Sequence, residues 1–217
     1  MQKFVIMGVQ GCGKGTQAKL LCKAYDLAHI SVGDIFRWNI AHHTKLAARI
    51  QRIISRGDLV SDEIVAEIVQ RRLADHDWNF GFILDGFPRS VVQAEFFLES
   101  YDIDAVIHIV VPDEVVRERV LSRRLCSGCG LDYNLIHHRP QEIDKCDVCG
   151  AALTQRADDT PSAVADRLKT YHEKTAPILE LFRRKELVLE VEGMQPAEFV
   201  QKEIQTQLGL KSPRRSQ

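Results

Sequence analysis

Long apolar runs are missing from this sequence. Its longest largely apolar stretch spans residues 105–111, whereas a helix that crosses a lipid bilayer needs about 20 predominantly apolar residues. The chain opens on an apolar, strand-like segment at residues 3–7, without the basic stretch and cleavage site that mark an export signal. We therefore expect neither a membrane span nor a signal peptide.

An excess of charge of either sign is missing as well. The 217 residues include 29 lysines and arginines and 30 aspartates and glutamates, which gives a formal net charge of −1. Proteins whose main ligand is a nucleic acid usually present a basic surface, so we expect no nucleic-acid partner and treat any basic site as local. With 45% hydrophobic residues, a chain of this length can fold around one core with smaller inserted subdomains.

The six cysteines would suggest disulfides in a secreted chain, but no export signal accompanies them. Four of them form two C-x-x-C pairs, Cys126/Cys129 and Cys146/Cys149, which are separated by sixteen residues. This is the spacing of a four-cysteine zinc site, and four thiolates leave no vacant position, so we expect a structural metal. Iron in the same site and redox-active dithiols are the alternatives. We expect a reducing, cytoplasmic location.

A glycine-rich segment lies between a strand-like run and a helical pattern. Residues 8–16 read Gly-Val-Gln-Gly-Cys-Gly-Lys-Gly-Thr. Such glycines let backbone N–H groups turn onto phosphate oxygens, the helix N-terminus adds positive potential, and Lys14 supplies a mobile charge. The strict motif places Ser or Thr directly after the lysine, whereas here Gly15 precedes Thr16. We predict a binding site for a nucleoside triphosphate.

Short β-rich segments alternate with longer helical patterns. The strand segments are residues 4–7, 82–84, 105–111 and 187–191, and the helical patterns that follow them are residues 15–25, 91–98, 114–125 and 197–208. This alternation predicts an α/β fold with a parallel sheet covered by helices on both faces. Ligands of such sheets gather at the carboxyl ends of the strands, where Gly8 and Asp85 fall.

Two inserts interrupt the alternation. Residues from about 31 to 60 predict short helices, and residues from about 122 to 159 predict an irregular, loop-rich insert that holds the four cysteines. We expect both to be mobile subdomains on the sheet core. His137 and His138 are expected to be exposed residues of the second insert, because four thiolates already supply a full metal shell. The polar residues 211–217 are expected to form a solvated tail without function.

Taken together, these motifs make the chain resemble adenylate kinases, in particular the bacterial long form whose lid carries a zinc-binding cysteine cluster. The resemblance runs from about residue 3 to residue 209. It rests on residues 8–17, 30–34 with Arg37, 58–60, 85–89 with Gln93, Arg119, Arg123, Arg124, the four cysteines, 156–159 and 167–171. It implies a P-loop nucleoside monophosphate kinase with a parallel five-stranded sheet flanked by helices. The implied reaction is reversible, Mg-dependent phosphoryl transfer from ATP to AMP, which gives two ADP.

The resemblance also implies how the chain is divided. Residues 1–30, 61–121 and 160–217 form the core, residues 31–60 form a monophosphate-binding flap, and residues 122–159 form a zinc-type lid. Binding of both nucleotides is expected to close the flap and the lid and to expel water that would otherwise hydrolyse ATP. A monomer is expected from the resemblance alone.

Individual site residues follow from the same resemblance. The ATP side comprises Gly11, Cys12, Gly13, Lys14, Gly15, Thr16, Arg119, Arg123, Asp132, Tyr133 and Gln195. The AMP side comprises Val32, Arg37, Asp58, Leu59, Val60, Gly86, Phe87, Pro88, Arg89, Gln93, Arg156 and Arg167. The catalytic set comprises Lys14, Asp85, Arg89, Arg123, Arg156 and Arg167. Phosphoryl transfer requires positioning and positive charge more than a strong base, which agrees with this set.

The roles of other charged residues are inferred from their positions in the sequence as well as from the resemblance. Asp85 follows a predicted strand, and we expect its carboxylate to orient magnesium or the water shell of magnesium. Arg119 and Arg123 fall at i and i+4 of one predicted helix, so both should face the cleft while Arg124 turns away. Asp158 and Asp159 either close onto the flap, as in the family, or cap a helix that begins near residue 161.

Two residues depart from the family pattern. Gln10 stands where these loops usually carry proline, so a looser loop is expected. Val32 stands where adenylate kinases usually have threonine beside the acceptor base, so a hydroxyl that bears on AMP selectivity is missing. Gln93 favours AMP, because an amide can pair with the edge of adenine. A kinase for UMP or CMP is the nearest alternative, and a catalytically weak nucleotide-binding sensor is the next.

Overall fold

Short apolar strands form two separate sheets in the computed structural model, which describes residues 2–56, 58–77 and 79–210. The tail at residues 211–217 lies outside the described residues. The strands are β1 (Lys3–Met7), β2 (Ala28–Ser31), β3 (Phe82–Asp85), β4 (Ala105–Val110), β5 (Arg123–Cys126), β6 (Asp132–Asn134), β7 (Leu153–Thr154) and β8 (Val188–Glu192).

Helices connect these strands and cover the main sheet. They are α1 (Lys14–Tyr25), α2 (Val32–Ala41), α3 (Lys45–Arg56), α4 (Asp62–Ala74), α5 (Val91–Ser100), α6 (Asp113–Leu121), α7 (Pro161–Thr170), a π-helical turn (Tyr171–Thr175), α8 (Ile178–Arg183) and α9 (Ala197–Gln207). None of the helices in the described part of the chain combines the length and the apolar composition that a bilayer span requires.

The main sheet is parallel and has five strands in the order β2-β3-β1-β4-β8. Alternate residues of β1 enter different cores: Val5 and Met7 pack on one face of the sheet, and Phe4 and Ile6 on the other. Both faces are therefore buried under helices, as expected for a parallel sheet. The predicted α/β fold with a five-stranded parallel sheet is confirmed.

The lid has a small sheet of its own, which the sequence did not indicate. Its strands pair antiparallel in the order β6-β5-β7, so the prediction of an irregular insert is wrong in this respect. The helical pattern predicted to reach residue 125 ends instead at Leu121. Asn134 explains the change of direction, because its side chain donates to the Arg119 carbonyl (3.0 Å) and to Ser122 Oγ (2.9 Å). The i, i+4 relation proposed for Arg119 and Arg123 is therefore wrong, since Arg123 lies on β5.

Side-chain caps fix where helices of the flap and the lid edge begin. Ser31 Oγ accepts the Asp34 amide at the start of α2 (3.2 Å), and Thr160 Oγ1 accepts the Ala163 amide at the start of α7 (3.2 Å). The predicted helix start near Pro161 is confirmed. The cap is Thr160, so the alternative that Asp158 or Asp159 caps this helix is wrong.

Candidate active site

A cleft of about 960 Å³ opens at the carboxyl ends of β1, β2, β3 and β8. Almost every site residue named from the sequence lines it. The ATP-side residues that do so are Gly11, Cys12, Gly13, Lys14, Gly15, Thr16, Arg119, Arg123, Asp132, Tyr133 and Gln195. The AMP-side residues that do so are Val32, Arg37, Asp58, Leu59, Val60, Gly86, Arg89, Gln93, Arg156 and Arg167. Asp85 lines the cleft as well.

Phe87 and Pro88 are the two exceptions. The Phe87 ring is buried in the core, where it packs edge to face against Phe97 with 5.5 Å between ring centroids. Both residues line a smaller cavity of about 60 Å³ next to the cleft. Their contribution to a ligand site is therefore to support the backbone of the Gly86–Arg89 turn.

The loop between β1 and α1 needs glycine at two crowded positions. Gly8 has φ of 140°, and a Cβ there would lie 2.5 Å from the Ile109 carbonyl oxygen. Gly11 has φ of 96°, and a Cβ there would lie 2.5 Å from Val120 Cγ2. Helix α1 then begins at Lys14, so its unpaired N-terminal N–H groups lie at the cleft and suit an anion.

Lys14 lies within this loop rather than free in the cleft. Its ammonium donates to the carbonyls of Gly8 (2.7 Å) and Val9 (2.9 Å). Cys12 beside it is fully buried, and burial raises the pKa of its thiol, so Cys12 is neutral at physiological pH. The loop therefore offers backbone N–H groups and one ammonium, but no nucleophile.

Three arginines of the cleft are each held by a carboxylate of the lid. Arg123 donates twice to Asp159, at 2.8 and 2.5 Å. Arg167 pairs with Asp158 and also donates to the Asp158 carbonyl at 2.7 Å. The third pair is Arg156 with Asp132, at 2.9 Å. These ion pairs hold the three guanidinium groups in fixed orientations within the cleft.

Two of the arginines are buried among other charged side chains, both basic and acidic. Burial lowers the pKa of Arg89, and the charges of Arg167 and Arg37 lower it further, although Asp85 opposes them. Burial likewise lowers the pKa of Arg156, to which the charges of Arg123 and Arg37 add. Arg156 Nε is also buried without a partner in the described structure. Since arginine stays protonated at neutral pH, this crowding favours binding of a polyanion.

The amide of Gln93 is fixed by the protein itself. Its oxygen accepts the Arg89 backbone N–H (2.8 Å), and its nitrogen donates to Asp62 Oδ1 (2.7 Å). Each end of an amide retains one further hydrogen-bonding position, so the buried Gln93 presents a defined edge to the cleft. Val32, which is 3% exposed, adds an apolar wall on the same side.

Two further groups of the cleft were not found from the sequence. His29 Nε2 lies 3.3 Å from Asp85 Oδ2, and Lys19 Nζ lies 3.4 Å from Asp132 Oδ2. His29 lies on β2, a strand of only four residues without a clear alternating pattern. Lys19 lies on α1, and the sequence around it does not distinguish it from an ordinary exposed lysine of a helix. No local sequence pattern marks either residue as part of a site, because its partner comes from a distant part of the chain.

The four cysteines of the lid come together as predicted. Their Sγ atoms all lie within 4.8 Å of one another, with 3.3 Å between Cys126 and Cys149 and 3.6 Å between Cys129 and Cys146. A tetrahedral zinc site with Zn–S bonds of about 2.3 Å requires Sγ atoms about 3.8 Å apart. The donor set and the spacing therefore fit a structural zinc ion.

The surroundings of Cys126 and Cys146 favour their thiolate forms, whereas hydrogen bonds from the neighbouring cysteines raise the pKa of Cys129 to about 12. The amides of Gly128 and Cys129 each donate to Cys126 Sγ at 3.4 Å, and Gly130 adopts φ of 71° to close this turn. The hydrogen bond from the Tyr133 hydroxyl is the main cause that lowers the pKa of Cys146 to about 6. Thiolates are the form that binds zinc.

The two lid histidines do not join the metal cluster. Both His137 and His138 are exposed and belong to the cleft wall, which confirms the prediction that they are exposed residues of the second insert. The His138 ring stacks on Tyr133 with 5.1 Å between ring centroids. Its role in the described structure is therefore to cover the Tyr133 ring.

Comparison with known proteins agrees with this geometry. A family model described as adenylate kinase matches residues 6–187. An adenylate kinase of Caldicellulosiruptor bescii is 41% identical over 213 residues, which cover 96% of this chain and 99% of the relative. An adenylate kinase of Acetivibrio thermocellus is 40% identical over 207 residues, covering 93% and 95%. One from a Geobacillus species is 43% identical over 212 residues, covering 95% and 98%.

Proposed function

The chain belongs to the adenylate kinase family and is an ATP:AMP phosphotransferase, and we propose that the cleft at the carboxyl ends of the strands is its active site. The observation that carries this proposal is the convergence of Lys14 with four arginines, Arg89, Arg123, Arg156 and Arg167, on one cleft. The transferring phosphoryl group develops charge on its equatorial oxygens, and such a set of donors stabilises that charge. The acceptors UMP and CMP and a sensor without turnover are not favoured.

In this proposal the reaction is an in-line transfer between the two sides of the cleft. A phosphate oxygen of AMP attacks the γ-phosphorus of ATP, and the bond from that phosphorus to the bridging oxygen breaks to release ADP. The backbone of residues 11–16 and the Lys14 ammonium hold the ATP phosphates. Arg37, Arg89 and Gln93 hold the AMP. The attacking group is already an anion, so no general base is required.

We assign Asp85 to the magnesium ion that accompanies ATP. Its carboxylate lies at the end of β3 with a side chain only 13% exposed, and a Cβ added at Gly15 would lie 3.6 Å from Asp85 Oδ2. A carboxylate oxygen is the donor type that Mg²⁺ prefers. When bound, the metal neutralises phosphate charge; Asp85 and the Thr16 hydroxyl are the side chains that would face it or its waters.

We propose that residues 31–60 and 122–159 close over the nucleotides as flap and lid, on a core of residues 1–30, 61–121 and 160–217. Two contacts support this division. Arg167 of α7 donates to the Ile54 carbonyl of the flap at 3.4 Å, and Lys19 of α1 pairs with Asp132 of the lid. Both inserts therefore contact the core across the cleft, where closure would exclude water from the transfer.

The lid metal, the compartment and the oligomeric state belong to the same proposal. We assign structural zinc to the four cysteines, since four thiolates fill a tetrahedral shell. Free thiols at this site agree with a reducing cytoplasm. We propose a monomer from the resemblance to the family. Metal analysis of the purified protein and its elution volume on size exclusion test these points.

The test of the site compares two neighbouring arginines of β5. Arg123 lines the cleft, whereas Arg124 donates to the carbonyls of Leu121 and Arg123 and is not part of the cleft wall. Lysine at either position keeps the charge but loses the planar fork that matches a phosphate. We expect Arg123→Lys to lower kcat at least about tenfold and Arg124→Lys to leave it within about twofold. Equal losses in both variants would refute the assignment.

The acceptor is tested with the wild-type protein. It is incubated with Mg-ATP and, separately, with AMP, CMP, UMP and GMP, and the diphosphates are resolved by chromatography. We expect rapid ADP formation with AMP, with Gln93 as the amide that pairs with adenine and Val32 as an apolar wall. A preference for CMP or UMP would instead make Val32 the residue that changes the specificity.

A further inference from the structure

Asp132, which the resemblance places on the ATP side, brings a negative charge into a cleft that binds polyphosphate. Its carboxylate lines the cleft and is 39% exposed, so it would repel ATP unless its charge is compensated. Both of its oxygens are in fact engaged. Oδ1 accepts from Arg156 at 2.9 Å, and Oδ2 lies 3.4 Å from Lys19 Nζ. The position of Asp132 therefore suits a contact with the protein better than a contact with the nucleotide.

The two cations that hold Asp132 come from different parts of the molecule. Lys19 lies on α1, in the turn after the phosphate loop and Lys14, and therefore belongs to the rigid core. Arg156 follows β7 at the edge of the lid, and Asp132 itself is the first residue of β6 in the lid sheet. The carboxylate thus joins the core to the lid across the cleft, while the pair with Arg156 stays within the lid.

Asp132 is attached to a rigid part of the lid. The next residue, Tyr133, is buried in the small lid core with Cys126, Cys146 and Leu153. Its hydroxyl donates to Cys146 Sγ at 3.5 Å and accepts the Asp147 amide at 2.8 Å. Because β6 is tied in this way to the four-cysteine cluster, a force applied at Asp132 moves the lid as one body.

We propose that Lys19 and Asp132 form a latch that holds the lid against α1 and that the latched carboxylate positions Arg156 in the cleft. The proposal rests on the proposed function, because it presumes that the lid opens and closes during turnover. Lys19 is 52% exposed, so the pair is weak and sensitive to salt. A weak latch suits a lid that must reopen at every turnover.

The latch is tested first without turnover, in the nucleotide-free metal-loaded protein. Spin labels are attached through unnatural amino acids at Ile143 in the lid, which is 85% exposed, and at Lys202 on α9, and their distance distribution is measured by pulsed electron resonance. We expect Lys19→Gln to shift the distribution toward longer distances and Lys19→Arg to preserve it. Salt at about 0.5 M should shift the wild type in the same direction as Lys19→Gln.

The matched control is Lys23→Gln, one helical turn further along α1. Lys23 is also an exposed lysine, but no carboxylate pairs with it among the described residues. We expect its distance distribution to equal that of the wild type. Identical distributions for Lys19→Gln, Lys23→Gln and the wild type would overturn the latch.

The steady-state constants of Lys19→Gln test whether Lys19 acts by holding the lid. We expect Lys19→Gln to raise the KM for ATP about two- to fivefold, with kcat unchanged or raised, because the lid reopens more readily. A fall in kcat with an unchanged KM would contradict the proposal. Absence of ADP formation by the wild type would refute the proposed function instead, and the distance measurement would still decide whether Lys19 holds the lid.

Discussion

At the residue scale, the surroundings of Lys14 show how the phosphate loop is prepared for its ligand. The ammonium bridges two loop carbonyls, those of Gly8 and Val9, and so stays close to where phosphate would bind. A phosphate oxygen can take the place of either carbonyl without a large movement of the chain. The same two hydrogen bonds also stabilise the loop while it is empty.

Replacement of Lys14 by methionine separates these two roles. We expect Lys14→Met to lower kcat at least about 100-fold, because one positive donor to the transferring phosphoryl group is lost. The loss of two hydrogen bonds of about 1 kcal/mol each should lower the melting temperature by only a few degrees. A coupled assay of ADP formation and calorimetry measure both effects. Lys202→Met on α9, outside the cleft, serves as the control, and a folded Lys14→Met variant with full activity would refute the role of Lys14.

Single residues also show what a sequence pattern can predict and what it cannot. The glycine-rich loop and the cysteine pairs were found because each is a local pattern with a chemical reason for its spacing. His29 and Lys19 were missed because their partners, Asp85 and Asp132, lie 56 and 113 residues further along the chain. An ion pair between distant segments leaves no periodic signal, since only the fold brings the two side chains together.

At the scale of elements, two of the failures of secondary-structure prediction have different causes. β2 is four residues long and reads Ala-His-Ile-Ser, which is too short for an alternating pattern. Residues 123–126 continued an apparently helical run, but pairing with β6 and β7 makes them the central strand of the lid sheet. Tertiary pairing overrode local propensity there, as is common for short strands. The helices α1, α5 and α9 were predicted to within two residues at each end.

We expect the proposed lid to be the element whose stability depends most on a metal. Its buried apolar side chains are few, namely Tyr133 and Leu153 with the cysteines Cys126 and Cys146. A core of this size does not stabilise a sheet of three short strands, so we expect the proposed metal bonds to supply most of the stability of the lid. Substitution of a cysteine that binds the metal should therefore destabilise the lid far more than substitution of a cysteine elsewhere in the chain.

Cys149→Ala tests this dependence against Cys22→Ala in α1. We expect loss of Cys149 to abolish stoichiometric zinc binding and to unfold the lid at a lower temperature than the core, because a three-thiolate shell binds zinc less tightly. Cys22→Ala removes a thiol that is not part of the cluster. Zinc content by mass spectrometry and calorimetry provide the readout. Equal zinc content and a single unchanged transition in Cys149→Ala would contradict a structural role.

At the scale of the whole molecule, the strand order of the main sheet determines where the proposed active site lies. β1 lies at the centre of the sheet, and its neighbours β3 and β4 lead away from it in opposite directions along the strand order. The loop that follows β1 therefore opens into a crevice at the switch point of the sheet, where ligands of such folds bind. Asp85 at the end of β3 lies at the same edge. The flap follows β2 and the lid follows α6, so both inserts can reach over this crevice.

A partly buried polar network on the other side of β1 links the sheet to the π-helical turn. His108 of β4, which is 9% exposed, lies 3.0 Å from the Tyr171 hydroxyl and 3.3 Å from Glu190 Oε1 on β8. Burial lowers the pKa of His108, and the hydrogen bond to Glu190 opposes this only in part. The folded protein therefore keeps His108 neutral at a pH at which the unfolded chain is already protonated.

This network predicts how the stability of the whole fold depends on pH. Between the lowered pKa of His108 and the unfolded value of about 6.5, the unfolded chain binds more protons, so the free energy of unfolding must fall as the pH decreases. His108 contributes at most about 1.4 kcal/mol per pH unit to this slope.

We expect His108→Gln to be less stable than the wild type at pH 7.5 but to show a shallower decline in the free energy of unfolding between pH 6.5 and pH 5. Urea unfolding across this range measures the slope, with His42→Gln, an exposed histidine, as the control. Equal slopes for the wild type and His108→Gln would show that His108 binds its proton equally in both states.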